Sequence, residues 1–195
     1  EMSASLVGSE MCIRDRIYGD IYDDSMWLID LVENLLSVTR IEEGRMQIRQ
    51  SAELVDEVIK EALKHTGQSR TGRTIKVEEE DELILAKMDA RLIVQVLINL
   101  IGNAVKYTPQ GTDITVRVKK EKAENAERSQ VIISVCDLGN GIPDDRKERV
   151  FDMFYTGSDQ VADSRRSLGL GLGLCRSIIN APVSYTHLRA HETSA

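Results

Sequence analysis

One stretch of the sequence, residues 94–109 (VQVLINLIGNAVKYTP), constrains the fold most because its spacing defines two faces of a helix. The apolar positions recur at the helical period: Val94, Leu97, Ile98, Ile101 and Val105. Asn99, Asn103 and Lys106 share a second, polar face, since residues three or four apart are neighbours on a helix surface. The pattern predicts a helix that packs on a core and holds two carboxamides and an ammonium close together.

That polar face suits the binding of a metal-bound phosphate group. Hard cations such as Mg²⁺ take oxygen ligands and often complete their coordination with substrate phosphates. A lysine supplies a compact positive charge for the same phosphates. The alternative is an amphipathic core helix whose outer face is polar only because it meets solvent, and this stretch alone does not separate the two interpretations.

The composition limits the classes of protein to consider. With 195 residues, 42% of them hydrophobic, the chain can form one domain plus a piece of another. A net charge of −7 argues against nucleic acid as a partner, because nucleic-acid-binding surfaces are basic. The three cysteines have no CxxC spacing, so neither a disulfide framework nor a zinc site is expected. No apolar run approaches the roughly 20 residues that span a bilayer, so we expect no membrane segment here.

The two ends differ in pattern from the sequence they flank. Residues 1–16 and 182–195 (PVSYTHLRAHETSA) have no clear hydrophobic period and resemble translated sequencing-adapter sequence. We expect both segments to be non-native and to lie outside the folded domain. His187 and His191 fall in the second segment, and their HxxxH spacing lacks a third ligand for a metal site.

The first half of the remaining sequence predicts two helices and three strands. A broad apolar stripe over 20–43 predicts a helix that needs a helical partner. A short strand at 46–49 and a second helix over 52–65 follow. Residues 74–78 and 83–88 are expected to pair as a hairpin, and Asp89 is a natural N-cap for the helix described above.

The second half predicts two strands and a closing helix. Residues 113–119 alternate as in a half-buried strand, and 130–136 are more continuously apolar, as in the central strand of a sheet. The charged run 120–128 is expected to be a solvated turn between them. The order of elements predicts an α/β fold, a two-layer sandwich with a mixed sheet and helices on one face.

The turn after the last strand, DLGNGIP, has the character of a binding site. The carboxylate of Asp137 can accept a hydrogen bond from an exocyclic amine such as that of adenine. Gly139 and Gly141 would let the backbone approach a flat ligand closely. A tight surface turn of the same composition is the alternative.

Two further segments complete the pattern. The run VFDMFY, with Phe151 and Phe154, predicts a hydrophobic anchor, and the aperiodic residues 156–167 that follow predict a lid. Glycines 169, 171 and 173 then open an apolar helix, and a helix N-terminus favours anions such as phosphate. The glycine spacing is weak by itself, and no strand precedes it as a dinucleotide-binding unit would require.

Four segments resemble, in this order, the N, G1, F and G2 boxes of sensor histidine kinases: the asparagine helix, DLGNGIP, FDMFY and GLGLG. The resemblance extends over about residues 20–181. The resemblance implies the Bergerat-type ATP-binding fold shared with gyrase-type and chaperone ATPases, with ATP and Mg²⁺ as cofactors. It implies that Asn103 is a Mg²⁺ ligand, that Asn99 and Lys106 join it in catalysis, and that Asp137 holds the adenine amino group. The other nucleotide contacts that it implies are Tyr107, Gly139, Gly141, Ile142, Phe154, Gly169, Leu170, Gly171, Leu172 and Gly173.

The resemblance also implies a domain organisation. Residues 17–45 would be the second helix of a dimerisation and phosphoacceptor hairpin, truncated here, and 46–181 the ATP-binding catalytic domain without its last strand. The wording of 27–48 and 85–100 is most similar to potassium-responsive, osmosensing kinases of the KdpD type. The phosphoacceptor histidine would lie upstream of residue 17, because His65 is not in the required context.

Asn99 bears on the reaction, since related hydrolases have a glutamate at this position and an amide cannot act as that general base. The expected function is therefore transfer of the ATP γ-phosphate to a histidine, for relay to the aspartate of a response regulator. This implies a homodimer in the intact parent and a cytoplasmic domain of a parent in the bacterial plasma membrane. The alternatives are an ATP-hydrolysing clamp of the gyrase and chaperone branch, or a nucleotide-free interaction module.

Overall fold

The computed structural model describes residues 3–43, 47–66, 74–80, 83–122, 129–156 and 169–181. Nearly all of the predicted lid and the adapter-like tail lie outside these ranges. The helices are α1 (Ser3–Glu42), α2 (Val55–His65), α3 (Ala90–Tyr107) and α4 (Gly171–Asn180). The strands are β1 (Ser51–Leu54), β2 (Ile75–Glu79), β3 (Leu85–Met88), β4 (Ile114–Lys122) and β5 (Ser129–Cys136). Two 3-10 turns, Asp144–Arg146 and Arg149–Phe151, follow β5.

The main sheet has the order β2-β4-β5, with β2 parallel and β5 antiparallel to β4. Ile114, Val116 and Val118 of β4 are fully buried against a helical layer that contributes Ile59 and Ile101. Helices on one side of a mixed sheet confirm the predicted two-layer α/β architecture. The prediction that residues 130–136 form the central strand is wrong within the described part of the sheet, because β4 has a neighbour on each side.

The expected hairpin of residues 74–78 and 83–88 does not form. Ile75 of β2 pairs in parallel with Ile114, whereas Leu85 of β3 pairs antiparallel with Leu54 in a separate two-stranded sheet. Pairing with β4 buries Ile75 in the main core. The free energy gained by this burial exceeds the saving in loop-closure entropy that a short hairpin would give.

The strand expected at 46–49 is displaced to Ser51–Leu54. Residues 47–50 form no strand, and the backbone N–H of Arg49 donates to Asp89 Oδ2 at 2.9 Å. Asp89 occupies the N-cap position of α3, but its carboxylate makes this long-range bond instead of a cap. Burial raises the pKa of Asp89, but hydrogen bonds from Arg49 and Arg91 outweigh burial, so the net pKa lies below its ordinary value.

The first helix extends further towards the N-terminus than expected, from Ser3 rather than residue 20. The added segment contains no proline, and helix propagation gains one backbone hydrogen bond per residue. Near its other end, Val38 is buried against α4, and Asn34 Oδ1 accepts a hydrogen bond from Gln95 Nε2 of α3 at 3.2 Å. Within the described residues, no helix is both long and apolar enough to cross a membrane.

A second apolar cluster fixes α4 beside α3. Its buried members come from α1, α3 and α4: Val38, Val96, Leu174, Cys175, Ile178 and Ile179. Because Val96 lies three residues before Asn99, this cluster brings the start of α4 to the polar face of α3. The sequence prediction that both helices serve one site therefore has a packing basis.

Candidate nucleotide-binding site

The polar face of α3 is formed as the spacing predicts. Asn99, Asn103 and Lys106 are half-buried, while Leu97 and Ile101 on the apolar face are buried. The Lys106 ammonium lies 5.2 Å from the centroid of the Tyr107 ring at the C-terminal end of the helix. The helix therefore presents two carboxamides and a cation along one edge.

The start of α4 touches this edge at Asn99. A Cβ built on Gly171 would lie 3.2 Å from Asn99 Oδ1, which is closer than a side chain normally approaches. A side chain at Gly171 would require the Asn99 carboxamide to move by a few tenths of an ångström. The first backbone N–H groups of a helix have no intrahelical partner, so this contact also sets an anion-binding terminus beside the carboxamide.

The turn after β5 lies at the other end of α3. Asp137 is exposed, and its Oδ1 accepts a hydrogen bond from the Gly139 N–H at 2.8 Å. A Cβ on Gly139 would lie 3.1 Å from the Tyr107 carbonyl oxygen, so glycine allows the turn to pack on the helix end. Gly141 has a φ of 69°, which an L side chain rarely adopts. The DLGNGIP segment is therefore a tight turn, as its alternative interpretation predicted. The turn places Asp137 at the edge of the site.

The two contact points define the length of the site. Asn99 and Tyr107 are eight residues apart in α3, which corresponds to about 12 Å along the helix axis. A nucleoside triphosphate in an extended conformation can span such a distance, with its base at the Asp137 end and its phosphates at the Gly171 end. Residues from three sequence segments therefore meet along one helix, with Gly171 at Asn99 and Gly139 at Tyr107.

The segment VFDMFY does not anchor the loop through Phe154, contrary to expectation. Phe154 is 64% exposed and has a φ of 64°, and its N–H donates to the Gly169 carbonyl at 3.0 Å. Met153 packs instead into the second apolar cluster, and Phe151 is half-buried. A flexible thioether fills such a gap more easily than a rigid ring, which explains the exchange of roles.

Gly169 and Gly173 both approach this segment closely. A Cβ on Gly169 would lie 2.4 Å from the Tyr155 carbonyl oxygen, and one on Gly173 would lie 2.7 Å from Met153 Sδ. Leu170 is buried, whereas Leu172 and Ile142 are half-buried. Of the three glycines, Gly171 is therefore the one that contacts the asparagine helix, and the other two fit α4 to its neighbour.

The donor set fits Mg²⁺ held together with a phosphate ligand. The described residues contain no group of three or more His, Cys, Asp or Glu side chains that could hold a metal. A cation here would depend on the carboxamide oxygens of α3 and on oxygens supplied by the nucleotide. Amide oxygen is a suitable ligand for a hard cation, and the cradle at Gly171 leaves Asn99 Oδ1 beside the anion-binding terminus.

The sequence analysis did not predict that Cys175 is buried against α3. The side chain is fully buried one turn after Gly171, and its thiol donates to the Val96 carbonyl with Sγ and O 3.8 Å apart. Burial raises the pKa of the Cys175 thiol to about 12, and an interaction with the Asn99 carboxamide acts in the opposite direction. Cys175 lies four residues after Gly171, which places both on the same side of α4. This spacing predicts burial against α3 only once the packing of α3 on α4 is known.

A cleft of about 660 Å³ lies between the second 3-10 turn and the outer face of α4. Phe151, Arg149, Arg176 and Asn180 are among the residues that line it, and none of the predicted site residues does. The cleft is therefore distinct from the site along α3.

Comparison with known proteins agrees with this geometry. Residues 88–193 match the family described as histidine kinase-, DNA gyrase B-, and HSP90-like ATPase. The sensor protein KdpD of Clostridium acetobutylicum is 39% identical over 168 residues, which cover 86% of this chain and 18% of that protein. The chain thus spans about a fifth of the length of this relative.

Solved structures show the same fold. The Acinetobacter baumannii histidine kinase AdeS has a TM-score of 0.64 at 23% identity, covering 91% of this chain and 83% of that one. The histidine kinase ThkA, solved in complex with the response regulator TrrA, has a TM-score of 0.56 at 26% identity, covering 78% and 42%. Since the family match includes more than half of the chain, this protein belongs to the histidine kinase-, DNA gyrase B- and HSP90-like ATPases, and its relatives are sensor histidine kinases.

Proposed function

We propose that this chain is the ATP-binding catalytic part of a sensor histidine kinase, which transfers the ATP γ-phosphate to a histidine. The observation that carries the proposal is the contact between Asn99 and Gly171, which joins the carboxamide face of α3 to the N-terminus of α4. This contact brings an amide oxygen and a helix N-terminus to the same ligand, while Lys106 offers its charge from further along α3.

Each residue has a distinct role in the proposal. Asp137 accepts a hydrogen bond from the adenine amino group, and the turn through Gly139 and Gly141 forms the floor under the base. Asn99 and Asn103 offer oxygen ligands to Mg²⁺, and Lys106 offers positive charge to the phosphates. Bound Mg²⁺·ATP supplies the phosphoryl group and neutralises its charge, while the chain's residues orient it and exclude water.

The geometry favours transfer over hydrolysis. At the phosphate end, the α3 side chain beside α4 is the amide of Asn99, which cannot remove a proton from water. Asp137 is a carboxylate, but it lies near Tyr107, about 12 Å along the helix from Asn99. We therefore expect slow ATP turnover by the domain alone, which distinguishes it from an ATP-driven clamp.

The acceptor and partners follow from the same proposal. The acceptor in this proposal is a histidine outside this sequence, because none of His65, His187 and His191 lies in the sequence context that the family requires. A response regulator would then receive the phosphoryl group on an aspartate, in line with the regulator complex solved for ThkA. Exposed apolar residues along α1, such as Leu28 and Leu35, suit a helical partner from a second copy. The parent would be a plasma-membrane sensor of the KdpD type with this part in the cytoplasm.

Calorimetric titration with a non-hydrolysable ATP analogue tests the proposal directly. We expect binding that strengthens when Mg²⁺ is present and loses that Mg²⁺ dependence in Asn103→Ala. Asn180→Ala is the matched control, because it removes an exposed carboxamide at the far end of α4. Equal affinity of all three proteins with and without Mg²⁺ would contradict the metal assignment.

Turnover and labelling separate the alternatives. Sustained ATP hydrolysis by the purified chain would favour the clamp, and absence of nucleotide binding would favour an interaction module. Under the kinase proposal, incubation with γ-labelled ATP leaves the chain itself unlabelled. A polypeptide that carries the missing hairpin histidine should acquire label in trans.

A further inference from the structure

One face of α1 is covered near its C-terminal end, and that face contains a polar residue among apolar ones. Four residues spaced by three or four positions lie on it: Leu31, Asn34, Val38 and Ile41. Val38 is 6% exposed and the other three are half-buried, whereas apolar residues on the other faces, such as Val32, are exposed. The covered face is therefore the one through which α1 meets the rest of the chain.

The polar residue of this face has a polar partner on α3. Asn34 Oδ1 accepts a hydrogen bond from Gln95 Nε2 at 3.2 Å, and both side chains are half-buried. Next to this bond the contacts are apolar, since Val38 and Ile41 pack with Val96 in the second apolar cluster. The interface thus combines apolar packing with a directional contact between two carboxamides.

These two kinds of contact constrain the helices differently. Apolar burial is non-directional, so Val38 could stay covered while α1 rotates or slides along α3. A hydrogen bond weakens steeply when its donor and acceptor are misaligned. A shift of α1 by one turn would bring Leu31 or Val38 opposite Gln95, and neither side chain can accept its N–H. A single polar residue in an apolar helix interface specifies register in this way, at a cost in stability.

We propose that the Asn34–Gln95 pair fixes the register and the angle of α1 on α3. Gln95 lies one turn before Asn99 in the same continuous helix. The pair therefore sets the direction in which the polar face with Asn99, Asn103 and Lys106 points relative to the axis of α1. This role is a property of the nucleotide-free chain and does not depend on what the polar face binds.

Residual dipolar couplings of the backbone N–H groups, measured on the full chain, report the angle between the two helices. In the wild type, one alignment tensor should describe residues 28–42 of α1 together with residues 90–107 of α3. Asn34→Leu removes the acceptor and keeps a side chain of similar length, so the α1 couplings should decrease relative to those of α3. The thermal midpoint should stay equal or rise, because replacing a buried polar group by an apolar one of similar volume is often stabilising.

Further variants separate register from packing. Gln95→Leu should reduce the α1 couplings as much as Asn34→Leu does, and the double variant should equal either single variant, because both remove one shared bond. Asn180→Leu is the matched control, since it makes the same change at an exposed carboxamide of α4 and should keep the common alignment. Val38→Ala should instead lower the thermal midpoint, because it removes a buried apolar contact.

The couplings decide the outcome. Wild-type couplings in Asn34→Leu or Gln95→Leu would overturn the role of the pair. So would an equal loss of alignment in Asn180→Leu, because the effect would then not belong to the contact between α1 and α3. Binding of a nucleotide is not part of the measurement, so failure of the proposed function would leave its result unchanged.

Discussion

The first residue of α4 shows how an absent side chain can shape a site. Gly171 has no positive φ, so its role lies in the space that it leaves beside Asn99 Oδ1. The sequence indicated a glycine-rich anion site, but it could not indicate which glycine meets which helix. That assignment depends on the cluster around Val96 and Leu174, which forms only in the folded chain.

Gly171→Ala should displace the Asn99 carboxamide and weaken Mg²⁺-dependent binding of the ATP analogue, while the thermal midpoint changes little. Alanine is favoured over glycine within a helix by about 1 kcal/mol, which offsets the local displacement. Gly102→Ala in α3 is the matched control, because a Cβ there meets nothing within 4 Å. It should leave binding unchanged, and calorimetry on both variants measures the difference.

Gly169→Ala should destabilise the fold itself. Its φ of 66° costs an L residue about 1–2 kcal/mol, and its Cβ would lie 2.4 Å from the Tyr155 carbonyl oxygen. Gly111→Ala has a similar positive φ but an open surrounding, so it isolates the conformational part of the cost. Urea unfolding should therefore give a larger loss for Gly169→Ala, and equal losses would contradict the close approach.

Glu79 should make the fold less stable as pH rises. Burial and the charge of Asp56 raise its pKa above the ordinary value of 4.5, and Oε1 has no hydrogen-bond partner in the described structure. The folded state therefore holds the proton more tightly, and stability is lost as pH rises from about 4.5 through the raised pKa. Glu79→Gln should gain less than about 1 kcal/mol near pH 7 and nothing at pH 3, as measured by unfolding at both pH values.

At the scale of elements, periodicity predicted helices and strands well where one face is buried. Residues 94–107 follow the expected helix closely, and Ile114, Val116 and Val118 alternate as expected. Periodicity could not determine strand pairing, because the local hairpin and the parallel partner bury the same face of β2. It also missed β1, since the residues of Ser51–Leu54 are exposed or only half-buried and carry little pattern.

Asp89 joins two elements that are distant in sequence, and Asp89→Ala should loosen both. The variant leaves the Arg49 N–H without its acceptor, at an expected cost of about 1–3 kcal/mol. Because the pKa of Asp89 is lowered by folding, its contribution is present above the unfolded pKa and is lost as pH falls through the folded value. Asp113→Ala removes an exposed partner of Lys76 and should change stability by less than about 1 kcal/mol. Denaturant unfolding near neutral and acid pH compares the two, and similar losses would contradict the linking role.

At the scale of the whole molecule, the α3 side chains of the site are half-buried, whereas α1 exposes many apolar side chains. The exposed set includes Ile17, Ile21, Leu28, Val32 and Leu35. The sequence predicted that α1 needs a helical partner. The packing of Val38 on α4 covers only the C-terminal end of α1. A helix this exposed is suited to association through its apolar side chains.

We expect the chain to self-associate in a concentration-dependent way through α1. The double variant Leu28→Lys and Leu35→Lys places charges on one helical face and should shift sedimentation towards the monomer. Leu83→Lys with Leu85→Lys is the matched control, because those leucines are even more exposed but lie just before and at the start of β3. Sedimentation velocity over a range of concentrations measures both, and identical profiles would contradict association through α1.

The parallel pairing of β2 with β4 links the assembly order of the chain to its chemistry. Residues 75–79 reach their partner only after the chain has passed through β3 and α3, so the main sheet is completed after the helix that carries both carboxamides has been made. Contacts between distant parts of a chain form late and slowly in folding. A nascent chain would therefore complete its hydrophobic interior only after the whole of α3 and β4 has been synthesised.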